Sequence, residues 1–271
     1  MRKTIFAFAL ASTVLFTITS AGAIVGGTLD DGDPPSYPEV GALVGYYPPA
    51  GKEIAYCSGT LISPTVFLTA AHCGFLRDGN GGVRVTFDEK PFDEEYTAKA
   101  NKHAGKFIPH RDYRSPTYHT VNENLNDVAV VVFDAPIDGI TPAELPPEFY
   151  LDKIGLDQSS KFTSVGYGDT EFLNGPGGKE TTHVQARNYA LGSFNALTKQ
   201  ALHLSQNSTT GDGGTCYGDS GGPNFIGAVG ETKIIASTTW TGDTYCEATN
   251  VTQRVDIPSV RKFLKDHVAL P

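Results

Sequence analysis

The sequence Gly218-Asp219-Ser220-Gly221-Gly222-Pro223 places one serine among glycines. Glycine lets the main chain turn tightly and approach a substrate closely, so the Ser220 hydroxyl can stand exposed on such a turn. Backbone N–H groups beside it can converge on one point and stabilise an oxyanion. The same residues also suit an ordinary turn. A catalytic interpretation therefore requires a base for Ser220 and an acid that orients the base.

Two residues earlier in the chain have the setting that such a base and acid need. His72 comes just after the apolar run Val66–Ala70, whereas most other histidines lie in polar stretches. Asp127 stands directly before the continuous apolar run Val128–Phe133, so we expect a partly buried carboxylate that needs partners. His72, Asp127 and Ser220 are therefore the candidate catalytic residues.

Short β-type runs separated by turn residues occupy most of the chain. Strands are predicted at Tyr56–Ile62, Val66–Ala70, Val83–Phe87, Val128–Phe133, Phe162–Val165 and Ile234–Trp240. Strands at this spacing favour barrels or sandwiches over a parallel α/β sheet. Apolar residues at helical spacing predict one C-terminal helix over about 257–270. The proline-rich stretch Pro142–Pro147 is the predicted seam between two halves.

The composition excludes several classes of protein. The chain has 271 residues, of which 39% are apolar and 19% charged, unlike collagen, coiled coils or disordered chains. Its formal net charge of -9 argues against a nucleic-acid partner, because phosphate binding needs an excess of Lys and Arg. Four cysteines suit two disulfides or one zinc site, but C-x-x-C pairs are missing. We expect no metal and no cofactor.

The first 23 residues have the layout of a secretory signal peptide. Arg2 and Lys3 precede an apolar stretch over about Ile5–Ile18, and the small residues Ser20-Ala21-Gly22-Ala23 follow it. The apolar stretch is too short to span a bilayer comfortably, which disfavours a membrane anchor. We therefore expect residues 1–23 to be removed, residues 24–271 to be secreted without membrane association, and the cysteines to form disulfides.

Four motifs in order resemble the trypsin-like, chymotrypsin-fold family of secreted serine proteases. They are Ile24-Val25-Gly26-Gly27, Thr69-Ala70-Ala71-His72-Cys73, Asn126-Asp127-Val128-Ala129-Val130 and Cys216-Tyr217-Gly218-Asp219-Ser220-Gly221-Gly222-Pro223. Gly166-Tyr167-Gly168 matches less well, because the family usually has tryptophan at its centre. The resemblance implies an all-β protein with two packed six-stranded antiparallel barrels, at about 24–145 and 146–256, and a C-terminal helix.

The resemblance also implies the roles of the candidate residues. Ser220 would be the nucleophile, His72 the general base and then the general acid, and Asp127 the residue that orients His72. The N–H groups of Gly218 and Ser220 would form the oxyanion hole. The implied disulfides are Cys57–Cys73 and Cys216–Cys246.

A further implied feature is an activation pair between the α-ammonium of Ile24 and the carboxylate of Asp219. Family members usually carry an activation peptide before the Ile-Val-Gly-Gly motif, but here Ala23 directly precedes Ile24. We therefore expect that removal of the signal peptide itself exposes the activating terminus.

The implied specificity pocket consists of five residues, namely Gly214, Thr215, Thr241, Asn250 and Thr252. Gly214 occupies the floor position, at which an aspartate favours Arg or Lys at P1, the substrate residue before the scissile bond. Glycine removes that anchor, so the resemblance predicts a neutral P1 residue.

The expected function is a secreted serine endopeptidase that acts on proteins or peptides through a Ser-His-Asp triad and an acyl-enzyme. An inactive homologue that works as a binding module is the alternative, and an esterase is a third possibility. Protein inhibitors are further candidate partners, and a monomer is expected.

Overall fold

The computed structural model describes residues 24–92, 101–114, 126–170, 172–175, 178–181 and 185–271. The predicted signal peptide lies outside these ranges. The strands and the helix are β1 (Thr28–Leu29), β2 (Val40–Tyr47), β3 (Lys52–Ser63), β4 (Val66–Thr69), β5 (Gly82–Thr86), β6 (His103–Pro109), β7 (Ala129–Phe133), β8 (Lys161–Gly166), β9 (Phe172–Gly175), β10 (Gly178–Thr181), β11 (Asn188–Leu197), β12 (Ala201–Ser205), β13 (Pro223–Ile226), β14 (Ile235–Gly242), β15 (Thr249–Arg254) and α1 (Pro258–Leu264).

Six strands form a closed antiparallel barrel in the first half of the chain, in the order β2-β3-β4-β7-β6-β5. Alternation explains β5, where Val83 and Val85 are buried and Arg84 is exposed. The apolar strand β7 is buried along almost its whole length. The barrel interior contains Leu43, Phe67, Val85 and Val131, among other apolar side chains.

The second half forms another closed antiparallel barrel. The order is β8-β11-β12-β15-β14-β13, and pairing of β13 with β8 closes it. Its interior includes Phe162, Leu202, Leu204 and Ala236. The predicted pair of six-stranded barrels is therefore confirmed. A larger cluster joins both barrels to α1 through residues such as Val128, Phe225 and Val260.

The resemblance assigned about 24–145 to the first barrel, but the structure places the N-terminal segment of this range on the second barrel. Thr28 and Leu29 of β1 pair with β11. A buried ion pair holds the segment there, with Arg187 Nε 2.8 Å from Asp30 Oδ2 and both side chains 1% exposed. Arg187 also donates to the Tyr167 hydroxyl at 3.1 Å. This hydroxyl lies 2.9 Å from the carbonyl of Asp88, so the tyrosine in the Gly-Tyr-Gly motif connects the two barrels.

The C-terminal helix is shorter than the predicted 257–270. It begins at Pro258, whose fixed φ suits the first turn of a helix, and ends at Leu264. Beyond that residue the chain tightens into turns, in which the N–H groups of Asp266 and His267 bond to carbonyls three residues earlier. The amphipathic spacing of the sequence does not predict this change from α-helix to turns.

Two disulfides cross-link the chain, Cys57–Cys73 and Cys216–Cys246. They span 16 and 30 residues, which corresponds to about 3–4 kcal/mol each in the loop-entropy description. Within the described ranges, no helix has the length and apolarity that crossing a bilayer requires.

Candidate active site

Strand pairing in the first barrel brings His72 and Asp127 together. Thr69 at the end of β4 lies opposite Ala129 at the start of β7. The chain therefore leaves β4 towards His72 at the same edge where it enters β7 from Asp127. His72 Nδ1 lies 2.6 Å from Asp127 Oδ2, and the His72 backbone N–H donates to Oδ1 at 2.9 Å. Both carboxylate oxygens thus hold the same histidine.

The carboxylate of Asp127 is buried, whereas the His72 side chain remains 29% exposed. The second barrel also contributes, because the Asp127 N–H donates to Gln253 Oε1 at 3.3 Å. Gln253 was not predicted, because it lies in β15, a strand that the sequence analysis missed. It anchors the acid across the boundary between the barrels.

The loop that carries Ser220 is fixed by its main chain. Gly218 and Gly221 have φ values of 97° and 83°, in the left-handed region that glycine tolerates. The Ser220 carbonyl accepts from the Ser58 N–H at 2.8 Å, and the Gly221 N–H donates to the Thr239 carbonyl at 2.8 Å. The Ser58 hydroxyl donates to the Gly218 carbonyl at 3.0 Å. Both barrels therefore hold this loop, and Ser58 is a supporting residue that the sequence analysis missed.

His72 and Ser220 border the same two cavities, of about 440 Å³ and about 270 Å³. The structure thus brings the candidate base and the candidate nucleophile to one surface. Gly218 lines the larger of the two cavities. Gly218, which was expected to supply an oxyanion-hole N–H, therefore borders the same cavity as Ser220.

Asp219 points away from this surface and is fully buried. Its carboxylate accepts from the Gly168 N–H and the Cys216 N–H, each at 2.8 Å. Burial raises the pKa of this carboxyl to about 7, although the two N–H donors oppose the rise. A Cβ on Gly168 would lie 2.6 Å from Asp219 Oδ2, so the second glycine of Gly-Tyr-Gly makes room for the acid.

Ile24 is buried in the chain that still carries residues 1–23. Its nitrogen is an amide there and donates to the Asp169 carbonyl at 3.1 Å. Val25 forms a bridge with Gly214. The segment that was expected to activate the protein thus already lies on the second barrel, near the residues that surround Asp219.

Of the predicted pocket residues, Thr215 lines the smaller cavity, together with Trp240 and Asp243. Gly214 packs against Gln206, and a Cβ at Gly214 would lie 2.6 Å from Gln206 Cβ. The Gln206 side chain therefore occupies the space that a larger residue at Gly214 would need.

The other three predicted pocket residues lie on β14 and β15. Asn250 and Thr252 are buried, and their side chains donate to Asn224 Oδ1 and to the Leu202 carbonyl. Thr241 pairs with Val251 across the two strands. The side chains of Asn250 and Thr252 are thus engaged inside the second barrel.

Asp243 is a cavity residue that the sequence analysis missed. Burial alone would raise its pKa, but backbone N–H groups lower it below its ordinary value. These donors belong to Tyr245, Glu247, Ala248 and Thr249. The carboxylate therefore organises the turn between β14 and β15. An aspartate beside a predicted strand end is the signal that could have indicated such a turn.

Comparisons with known proteins identify the family of the chain. A family model described as Trypsin matches residues 49–263. The chain is 29% identical to Brachyurin from Leptuca pugilator over 75% of this chain and 82% of the relative. It is 27% identical to a Trypsin from Saccharopolyspora erythraea over 80% and 86%, and 28% identical to a Trypsin from Phaedon cochleariae over 68% and 68%.

The chain belongs to the trypsin family of serine proteases. Proteins and peptides are the substrates of that family.

Proposed function

We propose that this protein is an active serine endopeptidase that uses Ser220, His72 and Asp127. The observation that carries the proposal is the buried Asp127 carboxylate, which holds His72 through both oxygens at a surface shared with Ser220. Ser220 Oγ attacks the substrate carbonyl carbon while His72 Nε2 takes its proton. The N–H groups of Gly218 and Ser220 stabilise the resulting oxyanion.

His72 then returns the proton to the leaving amine, and the substrate C–N bond breaks to leave an ester on Ser220. Water then attacks the carbonyl carbon of this acyl-enzyme while His72 takes a proton from the water. His72 passes that proton to Ser220 Oγ as the ester bond breaks, which releases the acid product and free Ser220. Asp127 accepts a hydrogen bond from the Nδ1–H group of His72 throughout, which leaves Nε2 free to act as base and stabilises the imidazolium.

Covalent labelling tests this proposal against the inactive homologue. A fluorophosphonate reacts with a serine that an adjacent base activates. We expect it to label the mature chain, and a failure to label would favour a binding module. Parallel assays on a peptide and on an ester distinguish an endopeptidase from an esterase.

We also propose that residues 1–23 are a signal peptide and that its removal activates the secreted chain of residues 24–271. The Ile24 amide donates to the Asp169 carbonyl in the uncut chain, and in this proposal cleavage turns it into an ammonium that pairs with Asp219. Burial raises the pKa of the Asp219 carboxyl before such pairing. Amino-terminal sequencing of the secreted protein should give Ile24 as the first residue. A start upstream of Ile24 would overturn the single-step activation.

The charge state of Asp219 should distinguish the uncut chain from the processed chain. Its raised folded pKa gives the uncut chain stability that is complete below pH 3.8 and lost as the pH rises to about 7. This loss amounts to about 4 kcal/mol at most. Urea unfolding across this range should therefore show a falling free energy of unfolding, and the Asp219→Asn variant should lack this slope.

In the processed chain, by contrast, the Asp219→Asn substitution should be harmful. With Ile24 as an ammonium, loss of its partner costs about 3–5 kcal/mol, so kcat/KM should fall by at least about 100-fold. Asp134→Asn, which changes an exposed carboxylate, is the matched control. An unchanged kcat/KM in processed Asp219→Asn would contradict the activation pair.

We propose a neutral P1 residue for the substrate. Gln206 fills the space beside Gly214, and the Asp243 carboxylate is already engaged by backbone donors. Peptides that differ only at P1 should give kcat/KM values at least about tenfold higher for neutral residues than for Arg or Lys, which corresponds to about 1.4 kcal/mol. Preferred cleavage after Arg would refute the assignment.

A further inference from the structure

Ser58 connects the first barrel directly to the loop that carries Ser220. It lies inside β3 and is fully buried. Its main-chain N–H donates to the Ser220 carbonyl at 2.8 Å, and its hydroxyl donates to the Gly218 carbonyl at 3.0 Å. One residue of the first barrel therefore holds the loop on both sides of Asp219.

A second hydrogen bond fixes the direction in which the Ser58 hydroxyl points. The Tyr167 N–H donates to the Ser58 oxygen at 3.0 Å. A serine hydroxyl has one proton, and while its oxygen accepts from Tyr167 that proton is directed at the Gly218 carbonyl. The hydroxyl thus connects the Gly-Tyr-Gly segment to the loop of the candidate nucleophile.

The contact with Ser58 completes the bonding of one peptide unit in this loop. The unit joins Gly218 to Asp219, and at its other end the Asp219 N–H donates to the Cys216 carbonyl at 3.1 Å. Because a peptide unit is planar, bonds at its carbonyl and at its N–H together set its orientation. Gly218 has a φ of 97° and no Cβ to restrict rotation, so the main chain depends on such bonds here.

This peptide unit lies between the two N–H groups of the proposed oxyanion hole. The Gly218 N–H precedes it along the chain, and the Ser220 N–H follows it. Rotation of the unit changes ψ of Gly218 and φ of Asp219, and so changes the angle between the two N–H groups. Donors stabilise an oxyanion in the transition state only when they are aimed in advance at one point.

Close packing confines the Ser58 side chain at this boundary. A Cβ on Gly166 would lie 3.0 Å from the Ser58 hydroxyl oxygen, and a Cβ on Gly222 would lie 3.2 Å from the Ser58 Cβ. The absence of side chains at these two glycines lets the second barrel approach Ser58 closely. The hydroxyl is therefore held between the two barrels.

We propose that the Ser58 hydroxyl is a positioning residue for the oxyanion hole, which it aligns by fixing the Gly218–Asp219 peptide unit. This inference rests on the proposed function. Ser58 is absent from the described residues that line the two cavities, so it acts through Gly218 and does not touch the substrate. Catalysis in the second barrel thus depends on one hydroxyl of the first.

Ser58→Ala removes this hydroxyl and leaves the Tyr167 N–H and the Gly218 carbonyl without their partner. Loss of a whole oxyanion-hole donor costs about 10²–10³ in kcat, and a misaligned pair should cost less. We expect kcat per active site to fall about tenfold while KM stays within about twofold, because the lost alignment acts in the transition state. Complete titration with a fluorophosphonate gives the concentration of active sites, so unfolded protein does not enter kcat.

The fold should survive this substitution, because the main chain of Ser58 keeps its bonds. Its N–H still donates to the Ser220 carbonyl, and its carbonyl still accepts from the Thr69 hydroxyl at 2.8 Å. Thermal unfolding of Ser58→Ala measures any loss of stability separately from kcat.

A transition-state analogue gives a readout that a purely structural role would not move. With a peptidyl trifluoromethyl ketone, Ser220 Oγ bonds to the ketone carbon, the ketone oxygen becomes an oxyanion, and the Ser220 proton passes to His72. The inhibition constant of this ketone should rise about tenfold in Ser58→Ala, whereas KM for the matching peptide should not.

Thr163→Val is the matched control. The buried Thr163 hydroxyl also donates to a glycine carbonyl at 3.0 Å, but to that of Gly227, in another part of the second barrel. Its loss should lower thermal stability and leave kcat and the inhibition constant within about twofold. Ser58→Thr keeps the hydroxyl and should stay within about threefold of the parent protein.

Unchanged kcat and inhibition constant in Ser58→Ala, or equal losses in Thr163→Val, would overturn this inference. A parent protein that hydrolyses no peptide would instead overturn the proposed function. The two failures are therefore distinguishable in one set of assays.

Discussion

Replacement of Ser220 by alanine is expected to lower kcat by about 10⁶-fold and to abolish fluorophosphonate labelling. The reason is that alanine lacks the hydroxyl that attacks the substrate carbon, and Ser220 is the serine that borders both cavities together with His72. The alanine variant keeps only oxyanion stabilisation and substrate binding, which give a small residual rate.

The fold should survive this substitution. The loop is held by main-chain bonds, from the Ser58 N–H to the Ser220 carbonyl and from the Gly221 N–H to the Thr239 carbonyl. Thermal unfolding of the variant should therefore match the parent protein within a few degrees. Ser208→Ala, at an exposed serine of the same barrel, is the matched control and should retain full activity. Activity of Ser220→Ala within about tenfold of the parent would contradict the nucleophile assignment.

The second large effect is expected for Asp127→Asn, with kcat lower by about 10⁴-fold and KM little changed. The carboxylate accepts from both His72 Nδ1 and the His72 backbone N–H. The asparagine side chain has a single acceptor oxygen. If that oxygen accepts from one of the two His72 donors, the NH₂ group faces the other donor. If that group donates to Nδ1, the imidazole proton moves to Nε2, and His72 can no longer accept the Ser220 proton.

Steady-state kinetics on a single peptide would measure this loss, with Asp134→Asn as the control at an exposed position. The bond from the Asp127 N–H to Gln253 does not involve the altered group, so the position of the side chain should be kept. A tenfold effect or less would show that Asp127 is not needed to fix the histidine tautomer.

The local sequence pattern was sufficient to predict the parts of the fold and of the site that depend on residues close together in the chain. The apolar runs at Val66–Ala70 and Val128–Phe133 predicted β4 and β7 closely. Antiparallel pairing of these two strands then explains why His72 and Asp127 meet. The Gly-rich context of Ser220 likewise predicted a tight, exposed turn.

Contacts between distant parts of the chain could not be predicted in this way. Arg187 and Asp30 are 157 residues apart, and Gln185 and Ala55 are 130 apart. The sequence around a polar loop residue does not indicate its distant partner. Such partners hold the N-terminal segment on the second barrel and connect Gln185 to Ala55 of β3. The shorter helix has a similar cause, since turn formation after Leu264 depends on packing rather than on spacing.

The packing of Gln206 against Gly214 limits how this pocket could change during evolution. A gain of preference for basic residues through an acid at Gly214 would first meet the Gln206 side chain, because the new Cβ would overlap it. The two positions must therefore change together, or Gln206 must become smaller first. If the pocket is neutral, as proposed, at least two substitutions thus separate it from a basic-selective one, and the first of them confers no new preference by itself.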